Sequence, residues 1–275
     1  MSNIKIFICA HKEVPLPQHP YFLPIQAGAA LHESICGYQP DNEGENISIK
    51  NPYFCELTCH YWAWKNLKNV DIIGLNHYRR YFDFQQKWPQ FSADKHFIPT
   101  KEFLNQKYQF PNLEKLFNKY DIILPVVRHW RVSNTQQYAN YHIAKDWDIL
   151  RQIIKERTPQ YIPAFEKTMD CSNKSVGYNM FITHWKHFET YSEWLFDILF
   201  EVERRVPPID DPIQSRIYGY MSERLINVFC EHHHLRIKHI PLIMPLDDHL
   251  KSLNISHTHA VLRNIINDLH YKLGN

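Results

Sequence analysis

Glycine is scarce: the 275 residues hold seven, and no two are spaced as G-x-G. That excludes the dinucleotide fingerprint and the Walker loop, which both use glycine to bring backbone N–H groups close to phosphate. Any phosphate bound by this chain is therefore held largely by side chains. No apolar run approaches the roughly 20 residues of a membrane span, and the opening MSNIKIFICAHKEVPLP has too short an apolar stretch for a signal peptide. A charge excess is also missing: 31 Lys and Arg stand against 29 Asp and Glu, so no nucleic-acid partner is expected. The six cysteines are scattered, as in a cytoplasmic protein with reduced thiols. Cys55, Cys59 and His60 lie close together, but no second ligand pair at zinc-finger spacing accompanies them, so thiols on a helix are expected rather than zinc.

What is present is apolar and aromatic. Hydrophobic side chains make up 44% of the chain and aromatics 14%, enough for one sizeable core. The pattern predicts strands over 4–11, 70–75 and 117–126, at the start of 177–206, and over 235–243. Helices are predicted over 52–67, 136–157, the remainder of 177–206, 218–233 and 260–273. The stretch 15–31 has four prolines and reads as loop with a helical turn near its end, while 37–51 reads as an acidic, exposed loop or substrate lid. This alternation predicts an α/β sandwich around a mostly parallel sheet, in one domain over 1–275. A nucleotide-binding part is expected over about 1–130, an acceptor-side part over about 131–245, and a terminal helix over about 258–273.

Ligands of such sheets bind beyond the carboxyl ends of the strands. Polar clusters after Ile8, Leu75 and Ile182 fall there. The densest is GLNHYRRYF (74–82), in which an apolar strand runs into Asn76, His77, Tyr78, Arg79 and Arg80. Guanidinium groups offer paired donors to phosphate oxygens, so this cluster suits a phosphate.

Other candidates carry two readings each. Glu56, amid aromatics and near Lys65, needs either a buried ion pair or a substrate. Tyr138, His142 and Asp146 are spaced to line one helix face, as a stripe reading sugar hydroxyls or as a structural ladder. Asp146 and Asp148 spell D-x-D, yet on a helix they point about 200° apart, so a metal site is not expected there. Glu223 in SERL, near the start of a helix following Gly219, is either a capping carboxylate or a general base. Asp210 and Asp211 lie in a proline-bounded loop and serve as reserve bases. The EHHH run at 231–234 reads as a surface helix end.

Several stretches together resemble a bacterial family from capsule, exopolysaccharide and O-antigen gene clusters, long labelled only as a domain of unknown function and counted among the glycosyltransferases. They are IFICAHK, PIQAGAAL, DNEGENISIKNPYFCELTCHYWAWKN, DIIGLNHYRRYF, YDIILP, YNMFI, YSEWLFDILFEVE and GYMSERLINVF, and they cover almost the whole chain. The resemblance implies a fold similar to the GT-A type. It implies transfer of a sugar, with galactopyranose or galactofuranose the expected candidates, from a nucleoside-diphosphate donor, expected to be UDP-linked, to a growing surface glycan.

Most GT-A enzymes hold a divalent metal on the diphosphate through D-x-D, where this chain reads LNHYRR. Metal-independent, inverting transfer is therefore expected, with manganese or magnesium the less favoured arrangement. His77, Arg79, Arg80 and Asn76 then face the pyrophosphate, His11 and Lys12 contact the nucleotide, and the expected catalytic residues are Glu223, as the base, and His77. Glu56, Lys65, Tyr138, His142, Asp146 and Asn179 are the expected contacts to donor sugar or acceptor. A lipid-linked oligosaccharide acceptor implies peripheral contact with the inner membrane. The apolar stripe Val261, Leu262, Ile265, Ile266 and Leu269 suits that contact or packing against the core or a second subunit. The alternatives are a non-catalytic nucleotide-sugar or glycan-binding component of a polysaccharide assembly complex, and a histidine-based metal hydrolase.

Overall fold

The computed structural model describes residues 2–85, 95–246 and 254–274. Its strands are β1 (Ile4–Ala10), β2 (Phe22–Gln26), β3 (Gln39–Pro40), β4 (Ile72–His77), β5 (Tyr81–Phe82), β6 (Lys95–Pro99), β7 (Ile122–Pro125), β8 (Arg128–His129), β9 (Lys174–Ser175), β10 (Phe181–His184), β11 (Ile237–Ile240) and β12 (Leu242–Leu246). Its helices are α1 (Asn51–Phe54), α2 (Leu57–Asn66), α3 (Thr100–Asn105), α4 (Leu113–Phe117), α5 (Asn134–Tyr141), α6 (Ala144–Arg157), α7 (Ile162–Phe165), α8 (Trp185–Arg205), α9 (Ile217–His232) and α10 (His257–Leu273).

The main sheet runs β11-β7-β10-β4-β1-β2-β3. Every pairing in it is parallel except the two made by β10, which lies antiparallel to both β4 and β7. The fold is thus mixed α/β with a mostly parallel central sheet. β1 and β4 are buried on both faces, which explains their unbroken apolar runs. Phe7, Ile73 and Leu75 face a large core shared with α2, α6, α8 and α9, while Ile4, Ile6 and Ile72 face a smaller one containing Phe117 and Leu242. Each such fully buried side chain contributes about 1.5–3 kcal/mol. Gly74 sits where these strands meet most tightly: a Cβ there would lie 2.7 Å from Ile182 Cγ1 and 2.8 Å from the Phe181 carbonyl oxygen.

The long helix α8 buries Phe188, Tyr191, Ser192, Leu195, Phe196, Leu199 and Val202, a three- and four-residue spacing that makes one continuous apolar face. His60 of α2 meets that face, stacked on Phe188 with its Nε2 2.7 Å from Ser192 Oγ. Cys9 and Cys59 are buried in this layer, and all six cysteines are unpaired.

The structure departs from the sequence pattern in several places. The expected helix over 52–67 breaks at Cys55, whose backbone has φ 51°. Asn51 Nδ2 donates to the Cys55 carbonyl at 2.8 Å and holds that kink. The expected helix over 136–157 breaks at His142, which is extended (φ −136°, ψ 176°). The proline-rich stretch supplies strand β2, in which Pro24 stands opposite Ile8 in a short strand near the sheet edge, and the alternation set by the Tyr21 and Gln26 carbonyls turns its missing N–H away from β1.

The acidic loop over 37–51 is not simply exposed. Asp41 is fully buried and accepts from the backbone N–H groups of Gly28 and Ala29, both at 2.9 Å, and from the Ser48 hydroxyl. The apolar run over 235–243 divides at Pro241, with β11 joining the main sheet and β12 a second sheet beside β5 and β6. On α10, Leu262, Ile265, Ile266 and Leu269 are about half exposed rather than packed on the core. Among the described residues no helix is long and apolar enough to cross a membrane.

Candidate active site

The parallel strands β1, β2 and β4 all end on one side of the sheet, and the antiparallel β10 begins there. A cavity of about 480 Å³ opens at these ends. It is lined by His11 after β1, Ala27 after β2, Glu56 at the α1–α2 kink, His77 to Arg80 at the end of β4, Tyr178 before β10, and Arg216, Tyr220 and Glu223 of the α9 region. Cys55 and Glu56, at the kink between α1 and α2, both line it.

Backbone strain gathers at this place. Cys55 (φ 51°), Tyr178 (φ 76°) and Asn179 (φ 51°) all occupy the positive-φ region that non-glycine residues avoid. Asn179 is pinned by three hydrogen bonds. Its Nδ2 donates to Glu56 Oε1 at 2.7 Å and to the Gly219 carbonyl at 3.2 Å, and its Oδ1 accepts from Ser222 Oγ at 2.7 Å. This one side chain joins the strand end, the kink and α9.

His77 lies 2.6 Å from the Tyr178 carbonyl through Nε2, so that nitrogen carries a proton and donates. Burial, reinforced by Arg80, holds the imidazole well below its usual pKa, leaving it neutral with Nδ1 as an acceptor. Glu56 Oε1 stands 3.8 Å from the same Nε2. Arg80 stacks with its guanidinium carbon 4.7 Å from the Tyr178 ring centre, and its buried Nε has no hydrogen-bond partner. Arg79 is exposed at the mouth, 4.9 Å over Tyr78. Arg216 Nε donates to Cys55 Sγ at 3.1 Å, and burial pushes that thiol up to about 12. Burial also raises the Glu223 carboxyl above its ordinary value, only partly offset by Arg224 with Nη1 at 3.9 Å. The cavity thus pairs two carboxylates with three guanidinium groups and a neutral imidazole.

Of the residues singled out from sequence, His11, Glu56, His77, Arg79, Arg80 and Glu223 line this cavity, and Asn179 buttresses it. Lys12 lines an adjoining cavity of about 370 Å³ that shares Tyr78 and Arg79. Asn76 does not reach the site. It precedes His77 on a strand, so its side chain takes the opposite face, where it is fully buried. Lys65 is also remote, at the far end of α2, 3.7 Å from the Trp64 ring centre and 3.4 Å from Glu45.

The break at His142 dissolves the expected helical stripe. Tyr138 is core, stacked on Trp147; His142 turns out to stack on Tyr220; and Asp146 begins α6 as a buried carboxyl raised by desolvation. Glu223 stands in the second turn of α9, which starts before Gly219 rather than after it. Asp211 caps the segment before α9, accepting from the N–H groups of Ile213 and Gln214. Tyr178 and Tyr220 stood beside noted motifs, but Arg216 and Arg128 carry no local signal. They are recognisable only because the fold carries them to the strand ends.

With this geometry in view, residues 5–234 match the model of a domain of unknown function, DUF4422. The chain belongs to the DUF4422 family. No curated protein matches the DUF4422 chain in sequence. Among solved structures it is similar to the one titled WbbM bifunctional glycosyltransferase, apo structure, with a TM-score of 0.81 and 26% identity over 89% of this chain. The DUF4422 chain spans about half of that protein, 46% of its length. Its central sheet and surrounding helices therefore share the fold of a glycosyltransferase.

Proposed function

We propose that this protein is a glycosyltransferase that moves a sugar from a nucleoside-diphosphate donor, UDP-linked, to a hydroxyl of a surface glycan. The observation that carries the reading is the cavity at the strand ends, where Arg79, Arg80 and Arg216 converge opposite Glu56 and Glu223. The likeness to a bifunctional glycosyltransferase supports it.

In this reading the donor diphosphate lies along the three guanidinium groups, which supply the positive charge that a leaving nucleoside diphosphate requires. Transfer is metal-independent. Glu223, made more basic by burial, takes the proton of the acceptor hydroxyl. The freed oxygen bonds to the anomeric carbon from the face opposite the diphosphate, the bond from that carbon to the diphosphate oxygen breaks, and configuration inverts. Neutral His77 accepts a hydrogen bond at Nδ1 from donor or sugar, and Glu56, fixed by Asn179, reads sugar hydroxyls. The exposed apolar face of α10, flanked by Arg263 and Lys272, is the proposed contact with an anionic membrane surface, which vesicle flotation measures.

Calorimetry with UDP, with and without EDTA, tests the clamp. Binding that persists in EDTA and weakens at least tenfold in Arg79→Ala and Arg216→Ala is expected. Binding that requires manganese and ignores both arginines refutes it.

A further inference from the structure

Gly177, between β9 and β10, is demanded neither by backbone conformation nor by packing. Its φ lies outside the left-handed region, and no clash like that at Gly74 forbids a side chain there. Apart from its chain neighbours, an added Cβ would meet one described atom within 4 Å, Glu223 Oε2 at 3.7 Å, an ordinary contact. The glycine therefore leaves space beside the carboxylate that takes the acceptor proton. Glu223 lines the donor cavity and also, with Gly177, a smaller pocket of about 180 Å³. Resting on the glycosyltransferase reading, we propose that this smaller pocket seats one sugar ring of the acceptor against aromatic side chains. Gly177 keeps clear the space in which a hydroxyl of that ring meets Glu223.

The walls of the pocket suit a sugar. Trp130 lines it, fixed by its indole N–H donating to Ser175 Oγ at 3.2 Å and its backbone N–H to the Asn173 carbonyl at 2.8 Å. Tyr220 lines it too, stacked on His142 with ring centres 4.3 Å apart. Aromatic side chains held in this way pack against the C–H face of a sugar, while a few polar groups read its hydroxyls. Arg224, buried, braces these groups: its Nη1 donates to the Tyr220 carbonyl at 2.8 Å and its Nη2 to Gln137 Oε1 at 2.7 Å. Accepting at Oε1 leaves the Gln137 amide nitrogen as a donor for a hydroxyl. Glu223 Oε2 lies 3.9 Å from Arg224 Nη1, so the carboxylate is presented to this pocket as well as to the donor cavity. A volume of about 180 Å³ is below the roughly 300–1,000 Å³ of sites for larger ligands. It suits a single ring, with the rest of the glycan outside.

Saturation-transfer NMR with the full chain tests this while saturating UDP fills the donor cavity. The probes are the methyl glycosides of glucose, galactose, mannose, rhamnose and N-acetylglucosamine. At least one should show transfer, strongest at its ring C–H protons. Trp130→Ala should weaken that probe about five- to tenfold. Gly177→Val should weaken it about tenfold or more, and Gly177→Ala by less, in the order of added volume. The alanine variant adds only an ordinary contact, so it carries the test should the valine one fail to fold. UDP affinity, measured by calorimetry, should stay at the parent value in all three and so report an intact fold. The proposal is overturned if no glycoside shows transfer while UDP binds. It is equally overturned if Trp130→Ala or the folded Gly177 variants bind the probe as the parent does, or weaken UDP to the same extent. If UDP fails to bind the parent while a glycoside still depends on Trp130, the donor reading falls, and the pocket stands as a sugar site without the acceptor role.

Discussion

Replacing Asn179 by alanine isolates the joint that holds the candidate site together. The substitution removes one hydrogen bond to a carboxylate, from Nδ2 to Glu56 at 2.7 Å, and two neutral ones, to the Gly219 carbonyl at 3.2 Å and from Ser222 at 2.7 Å. The charged bond contributes about 1.5–3 kcal/mol and each neutral one about 1. Asn179 also sits at φ 51°, where alanine adds about 1 kcal/mol that asparagine tolerates better. These contributions share groups and do not simply add, so a net loss of about 3–5 kcal/mol is expected. In a chain of this size that lowers the melting temperature by about 6–10 °C. Circular-dichroism melts of Asn179→Ala and Asn179→Gly measure it, the glycine variant recovering about 1 kcal/mol because it relieves the backbone but not the lost bonds. An alanine variant that melts within 2 °C of the parent refutes the reasoning, as does a glycine variant no more stable than the alanine one.

Glu223→Gln is expected to lower turnover by about 10²–10⁴-fold while the protein stays folded, and retention within tenfold would remove Glu223 from the role of base. Because burial raises the folded-state pKa of Glu223, the acid limb of kcat/KM should lie above the ordinary carboxylate range. The stability that its neutral form contributes is present below the unfolded pKa and lost as pH rises through the raised folded one, so the glutamine variant gains stability relative to the parent across that interval. His60 has the opposite sign: burial holds it down to about 3, so it stays neutral in the fold while the unfolded chain takes up a proton below about pH 6.5. Its contribution is present above that pH and falls by about 2 kcal/mol on going from pH 8 to pH 5. Urea denaturation should therefore show the gap between parent and His60→Gln narrowing by that amount, and a constant gap would contradict it.

The sequence by itself determined the strands that form the centre of the sheet. β1 and β4 are apolar on both faces, so they read as strands without knowledge of their neighbours. The cluster from His77 to Arg80 was legible for the same reason, because a buried strand that ends in cations exposes them at its carboxyl end. The scarcity of glycine excluded the glycine-rich phosphate loops.

Only the tertiary structure decided the rest. The kink at Cys55 and the left-handed turn at Tyr178 and Asn179 sustain one another through a bond between Asn179 and Glu56, 123 residues apart in sequence. No local pattern contains that bond. Alternation along β4 sends Asn76 away from the site and His77 into it, a distinction that rests on which face of the sheet the helices cover. The break at His142 gives up a regular helix for a stack on Tyr220, 78 residues later, so the periodicity that joined Tyr138 to Asp146 misled. Arg216 and Arg128 became visible only once α9 and the strand after β7 were placed at the same end of the sheet. Local periodicity reports which side chains seek the interior, whereas a site is assembled by contacts between segments far apart in sequence.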